Sequence, residues 1–377
     1  MEFFLIDMFI AAAIFGFLYG FLLQKADFCF VASVRDFVSV RDSRLGKGVL
    51  ILIATAMMGW GISLTFGWST IGEVWSVPIG FTNLVGGLLF GIGMTIAGSC
   101  ASGALYRAGM GYVQFWIVII SMMIGNILFA LVYDPWTANY VQQPLQLAES
   151  GFSLFQLNLP FLLLPILIVG VMILITIRQF GVKGFFNGFK EAAMDLKGNP
   201  LKRSHWDIRL VAFLLGVIAT VQFIIMSSIS ITGPETRMVG VALSFIFGEE
   251  FIYNNTYLNQ MFASFPSIGI GPEETLIIFI VLGAFVASLL SGSFRLRLPK
   301  KKRLPYAIGG GLLMGISSRL APGCNIANVV SGVGGLSISS IIVVIGMAVG
   351  VFIATAYIFK MPLLLFQKMD FEDDIAS

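Results

Sequence analysis

The chain has 377 residues, of which 57% are hydrophobic and only 11% charged. Soluble domains carry roughly a quarter charged residues, so the composition points to a polytopic helical membrane protein, and the long unbroken apolar runs exclude the alternating pattern of a β-barrel. The formal net charge of +3 decides little, because the distribution of basic residues sets topology. One histidine (His205) and three cysteines (Cys29, Cys100, Cys324) argue against a metal centre, which wants clustered ligands. An odd cysteine count at apolar positions argues against a disulfide framework. No cofactor and no nucleic-acid partner is expected.

Nine apolar segments follow in order, at about 5–23, 48–66, 84–97, 113–132, 158–178, 208–230, 274–292, 306–320 and 338–359. The first begins after Glu2 and Asp7 rather than after basic residues, so it reads as a retained span and not a cleaved signal peptide. A full span needs about 20 residues at 1.5 Å each. The third and eighth, at about 14–15 residues, reach only about 21–23 Å and stop inside the hydrocarbon layer.

Orientation follows from the intervening stretches. Residues 24–47 carry Lys25, Arg35, Arg41, Arg44 and Lys47; residues 178–209 and 293–305 are also strongly basic. These should be cytoplasmic. Residues 133–157 and 231–272 carry Asp134, Glu149, Glu235, Glu249 and Glu250 against Arg237, so they should be external. The N-terminus is then outside and the C-terminus inside. Residues 183–197 mix basic and aromatic side chains and predict an interfacial amphipathic helix linking two halves. The acidic tail from Asp370 to Asp374 predicts disorder.

The two short segments are copies of each other. Gly86-Gly-Leu-Leu-Phe-Gly-Ile runs on to Ala97-Gly-Ser-Cys100, and Gly310-Gly-Leu-Leu-Met-Gly-Ile runs on to Ala321-Pro-Gly-Cys324. Displaced by 224 positions, they align without a gap, and Gly111 falls on Gly335. One copy enters from outside and the other from inside. That predicts an inverted-topology repeat with its site near the midplane. The division is 1–178 for the first half, 179–207 for the cytoplasmic linker, 208–360 for the second half and 361–377 for the cytoplasmic tail. The expected fold is all-α: about nine transmembrane helices, with short inward-dipping broken helices.

Most of the glycines in the repeat helices let membrane helices approach closely. Gly98, Gly103 and Gly323 differ, because they flank the breaks, and a break frees backbone groups that only a cavity or buried protein tolerates. A helix that restarts there points N–H groups and a positive dipole end into the site, which suits an anion. Cys100 and Cys324 occupy the same repeat position at the breaks. Catalytic thiolates would need a base, and no histidine lies nearby in sequence. Metal ligation would want further ligands. The third role is a weak neutral S–H donor to a soft anion. Cys29, where segment 1 meets the basic stretch, belongs to the first half only; its counterpart, Ile231-Thr-Gly-Pro234, lacks a cysteine. Arg107 and Arg319 lie close to the repeat cysteines and are pathway candidates, although Arg107 equally reads as a cytoplasmic anchor. Asn325, beside Cys324, completes the candidate set.

At these residues the chain resembles the YeeE/YedE family of bacterial inner-membrane permeases. The resemblance rests on Lys25-Ala-Asp-Phe-Cys29-Phe-Val-Ala-Ser-Val-Arg35-Asp36, on Gly86 through Gly93 with Ala97-Gly-Ser-Cys100-Ala-Ser-Gly-Ala-Leu-Tyr106-Arg107, and on Ala321-Pro-Gly-Cys324-Asn-Ile. It implies a nine-span fold, thiosulfate uptake for sulfur assimilation, and a relay through Cys29, Cys100 and Cys324. Pro322-Gly-Cys324-Asn325-Ile326-Ala-Asn328, with Phe294-Arg-Leu-Arg-Leu-Pro299 ahead of it, is more similar to the branch associated with selenium metabolism. The implied cargo is thus thiosulfate or a related sulfur- or selenium-containing anion. The expected setting is the bacterial inner membrane, with the lipid bilayer and a small TusA-like cytoplasmic sulfur carrier as partners. A membrane thiol enzyme, such as a sulfurtransferase or oxidoreductase, is the competing reading.

Overall fold

A computed structural model describes residues 2–40, 42–140, 146–148, 151–157, 159–194, 200–226, 228–263 and 269–358. The tail from 361 to 377 lies outside the described residues, as do the side chains of 179–194.

The described chain is the expected all-α membrane protein. Its helices are α1 (Glu2–Ala26), α2 (Phe30–Val40), α3 (Arg44–Thr65), α4 (Phe81–Ala97), α5 (Ala101–Gly109), α6 (Val113–Tyr140) and α7 (Leu163–Met194) in the first part. There follow α8 (Ile208–Ile225), α9 (Thr232–Phe247), α10 (Glu250–Asn254), α11 (Thr256–Phe262), α12 (Pro272–Leu290), α13 (Leu304–Leu320) and α14 (Ile338–Ile353). Wide π turns occupy Ala327–Val333 and Ala354–Ile358. Seven helical stretches are long and apolar enough to cross a bilayer, and Leu163–Arg178 is a shorter apolar one. The α13 helix, with 17 residues, is also short for a span. The 178/179 boundary falls inside α7, which continues unbroken from the apolar segment into the basic stretch.

Glycine governs how these helices meet. A Cβ on Gly86 would lie 2.5 Å from Ala321, one on Gly93 would lie 3.0 Å from Met314, and one on Gly310 would lie 2.5 Å from the Ala97 nitrogen. The partner numbers fall as the helix numbers rise, so α4 and α13 cross antiparallel, with backbones nearly touching. The repeated motif therefore runs in opposite senses in its two copies. The other pairs run parallel. Gly87 and Gly91 meet Val343 and Met347, and Gly311 and Gly315 meet Val118 and Met122. Gly16 and Gly20 meet Leu276 and Ile280, and Gly48 and Gly59 meet Ile208 and Thr220.

These contacts form a self-consistent set. Exchange α1 with α8, α3 with α12, α4 with α13 and α6 with α14. The α1–α12 contact then becomes α8–α3, the α4–α14 contact becomes α13–α6, and α4–α13 maps onto itself; all of these are present.

Two stretches expected to be solvated loops are not. Residues 24–47 contain α2, and residues 231–272 contain α9, α10 and α11. Each begins with a buried turn: Cys29 through Ala32 and Ile231 through Arg237 are all buried. Windows of membrane-span length pass over such helices, because α2 and α9 have only 11 and 16 residues and charged pairs (Arg35 and Asp36, Glu235 and Arg237) interrupt them. Lys25, assigned to a basic loop, is wholly buried. Its ammonium donates to the carbonyls of Leu201 (2.8 Å) and Arg203 (2.7 Å), and the Trp206 amide donates to the Lys25 carbonyl. Lys25 thus fastens the stretch between the halves to the end of α1.

Candidate functional site

Four helix starts converge in the interior, each after a chain break. Cys29 immediately precedes α2, Cys100 precedes α5, Ile231 precedes α9, and Cys324 precedes the helical stretch that begins at Asn325. Three are the sequence-predicted cysteines. The fourth is the cysteine-free counterpart of Cys29.

The break before Cys100 needs glycine. Gly98 closes α4 at φ 76°, a left-handed conformation that costs a side-chain-bearing residue. Gly323, two residues beyond the Ala321 cap of α13, is also left-handed, at φ 102°, just before Cys324. Both cysteines are then delivered at the position just before a new helix, with no solvent exposure. The Gly103 amide donates to the Cys100 sulfur at 3.4 Å, so the thiol caps its own helix.

Cys29 and Cys100, 71 positions apart in sequence, stand with their sulfurs 3.5 Å apart. The Ser102 hydroxyl lies 3.5 Å from the Cys100 sulfur. Gly103 fits against both thiols: a Cβ there would sit 3.2 Å from each sulfur and closer still to the Ser99 hydroxyl. Among the predicted residues, Cys29, Cys100 and Gly103 therefore form one cluster. Cys324 belongs to the other half, where the backbone amides of Ile231, Thr232, Ile326 and Ala327 approach its sulfur. These amides come from two of the converging helix starts, and they face a weak acceptor that a bound anion would outcompete.

An apolar cavity of about 40 Å³ lies between these two centres. Ser102, from the Cys100 turn, and Asn325, next to Cys324, both line it, with Tyr19, Phe28 and Ile229 among its other walls. Asn325 is buried and its side-chain carbonyl oxygen has no hydrogen-bond partner, and the Tyr19 hydroxyl is likewise unpartnered. Buried polar atoms are normally satisfied, and among the described residues these two, both on residues that line the gap, are not.

The two arginines take different places. Arg107 donates to the Gly98 carbonyl at 3.1 Å and pairs with Asp27 at 3.2 Å, while the Tyr106 hydroxyl donates to the same carboxylate. Arg107 thus braces both breaks of the first half from the side where Asp27 is exposed. Arg319 is buried. Its guanidinium donates to the hydroxyls of Thr232, Ser318 (3.2 Å) and Tyr257 (3.4 Å). Thr232 and Tyr257 lie 87 and 62 positions away along the chain, so sequence spacing does not reveal these partners.

Sequence reading also missed Ser102, Thr232, Glu235 and Trp75. Glu235 was counted as an external loop acid, yet it is fully buried and neither carboxyl oxygen has a hydrogen-bond partner. Trp75, from the loop between α3 and α4, lies across Gly323 and Gly332 with its indole N–H unpartnered. The one available signal was an acidic residue four positions after Ile231, the Cys29 counterpart, in a turn that repeats the break. Among the described residues, no cluster of His, Cys, Asp and Glu could hold a metal ion.

The chain is similar to known transporters. The chain is 29% identical over 340 residues to the thiosulfate transporter TsuA of Spirochaeta thermophila, covering 86% of this chain and 91% of that protein. It is 26% identical over 337 residues to TsuA of Escherichia coli, covering 85% and 86%. A shorter match, 32% identical over 127 residues, joins it to the probable transporter YedE of Escherichia coli, covering 33% of this chain and 30% of that protein. A family model described as sulphur transport matches residues 25–353, which include all four helix starts and all three cysteines, and the chain belongs to that sulphur-transport family, the one its YeeE/YedE motifs resemble.

Proposed function

We propose that this protein takes up thiosulfate, or a closely related sulfur anion, across the bacterial inner membrane, passing it from Cys324 to Cys100 and Cys29. The observation that supports this most is the pair of buried thiols 3.5 Å apart at two helix starts. Thiols there offer weak, neutral donors matched to the soft terminal sulfur of the anion. A lysine or arginine in the same place would hold a dianion too tightly in low dielectric. The amides around Cys324 serve the harder, charged sulfonate end. The residues proposed to line the path are Cys29, Cys100, Cys324, Gly98, Gly103, Gly323 and Asn325, with Arg319 and Arg107 at its margins. Residues 1–178 and 208–360 act as two inverted units around this path, joined by 179–207. A cytoplasmic sulfur carrier of the TusA kind would accept the product at the inner mouth. The similarity to YedE leaves a selenium analogue as the cargo to compare. Uptake of sulfur-labelled thiosulfate into proteoliposomes, with selenosulfate as competitor, tests the reading; no accumulation above protein-free vesicles overturns it.

Two further outcomes follow. Gly103→Ala inserts a methyl group between Ser99 and both sulfurs. It should cut initial uptake several-fold at unchanged detergent melting temperature, because the methyl group separates the thiols without removing them. For topology, Tyr253→Cys should react with a membrane-impermeant maleimide added to intact cells, and Lys302→Cys should react only in inverted vesicles. The opposite pattern reverses the proposed orientation.

A further inference from the structure

Beside the path, but outside the cysteine relay, lies a carboxyl group with no stated task. Glu235 sits in the first turn of α9, wholly buried, with both oxygens unpartnered. The charges of neighbouring elements are mostly engaged elsewhere. Arg237, two residues on, is held by Glu273 and Glu274 from α12. Glu250 and Tyr253 of α10 are exposed. Of the polar groups on α6, Asn126 accepts from Ser318 and the Tyr133 ring lies tilted against Tyr257 of α11. Arg319, from α13, stands at the same turn: its guanidinium binds Thr232, three residues before Glu235 in α9.

Arg319 in turn reaches the path. Its guanidinium donates to Thr232, the residue whose backbone amide approaches the Cys324 sulfur. Among the described residues, the guanidinium's three hydrogen bonds all go to hydroxyls rather than to a carboxylate. A buried cation from α13 thus binds the turn of α9 that carries a buried carboxyl group, next to a thiol station and without a direct bond between the two.

We propose that Glu235 is a proton-binding site that controls anion capture at Cys324. An unpartnered buried carboxyl group has two ways to be satisfied: it takes a proton, or it pairs with the nearest cation. Protonated Glu235 leaves the charge of Arg319 uncompensated, and the Cys324 end of the path attracts an anion. Ionised Glu235 cancels that charge, and the attraction is lost. Proton and anion therefore favour each other's binding, reciprocally. The sign is fixed: capture strengthens as the pH at the outer mouth falls. A proton taken up with a dianion also lowers the charge that must move against a negative-inside potential. The inference rests on the uptake reading above and adds its pH control.

The test uses the purified full-length protein in proteoliposomes with the membrane potential clamped, and labelled thiosulfate as the probe. Wild-type initial uptake should rise several-fold as external pH is lowered from mildly alkaline to mildly acidic. Glu235→Gln, a permanently neutral isostere, should be flat with pH at the high wild-type rate. Arg319→Gln should be slow and also flat. A second readout needs no variant: thiosulfate added to the wild-type protein in weakly buffered detergent should draw protons from solution. A Glu235→Gln or Arg319→Gln protein that keeps the wild-type pH profile, or thiosulfate binding without proton uptake, overturns the proposal. If the wild type fails to take up thiosulfate at any pH, the transport reading itself falls, whereas uptake that ignores pH in the wild type removes this inference alone.

Discussion

Cys100→Ala should lower thiosulfate uptake by about tenfold or more while leaving the fold intact, and Cys324→Ala should do the same. A hydrogen bond to a charged group contributes about 1.5–3 kcal/mol, and a thiol, being a weak donor, falls near the bottom of that range. A loss of about 1.4 kcal/mol is a factor of ten. In a narrow path the slowest step sets the rate, so a single weakened station suffices. Cys100 should suffer most. Its sulfur accepts from the Gly103 amide at 3.4 Å, and it stands 3.5 Å from both the Cys29 sulfur and the Ser102 hydroxyl. Alanine removes all of these at once. The cavity left is one sulfur atom in size, and the stability cost should stay near about 1 kcal/mol. Cys→Ser keeps a donor, but the hydroxyl is harder and more strongly hydrated, so partial activity at most is expected. The Ser102 hydroxyl beside Cys100 makes the Cys29→Ala defect milder, because a donor remains at that station. Growth on thiosulfate as sole sulfur source, read alongside the fluorescence of a tagged protein, checks the series. Normal growth of both alanine variants at normal expression would show that these thiols only fill space.

How much of this was legible in the sequence depends on what each element buries. The repeat and its opposed direction could be read, because Gly86 and Gly310 begin the same glycine pattern and each copy ends at a cysteine before a break. The site-forming helices α2 and α9 could not be read from apolar length. Both are shorter than a span, and charged pairs (Arg35 and Asp36 in α2, Glu235 and Arg237 in α9) interrupt their apolar pattern. Charge counting failed at the same points for the same reason. Lys25 and Glu235 were assigned to water by position between apolar runs, yet tertiary packing buries both completely. Lys25 is compensated by two carbonyl acceptors, whereas Glu235 has no bonded partner at all. The contact of Cys29 with Cys100 was out of reach for a different reason. It joins two breaks that share no repeat offset, and only the packing of α1, α4 and α5 brings them together.

Gly310→Val should abolish folded protein, and Gly309→Ala, one residue away, should leave it unchanged. Sequence alone treats the two glycines alike, as adjacent small residues in an apolar helix. The packing separates them. Gly309 is exposed, and a Cβ there would meet nothing within 4 Å. A Cβ on Gly310 would lie 2.5 Å from the Ala97 nitrogen and 2.8 Å from its Cα. Those are backbone atoms, so no rotamer change can relieve the clash. The helices α4 and α13 must separate instead, and their crossing is shared by both halves. Ordinary overpacking costs about 1–3 kcal/mol where neighbours can yield. Here the neighbour is the last residue of α4, three positions before Cys100, so yielding also displaces the break that delivers the thiol. Transmembrane helices associate through close packing of this kind rather than by the hydrophobic effect, which leaves little to compensate. Fluorescence-detected gel filtration in mild detergent should show the monodisperse peak lost for Gly310→Val and retained for Gly309→Ala. Gly310→Ala should fall between them, folded but with a lowered melting temperature and reduced uptake. A monodisperse, fully active Gly310→Val protein would mean that the two repeat helices do not cross at this point.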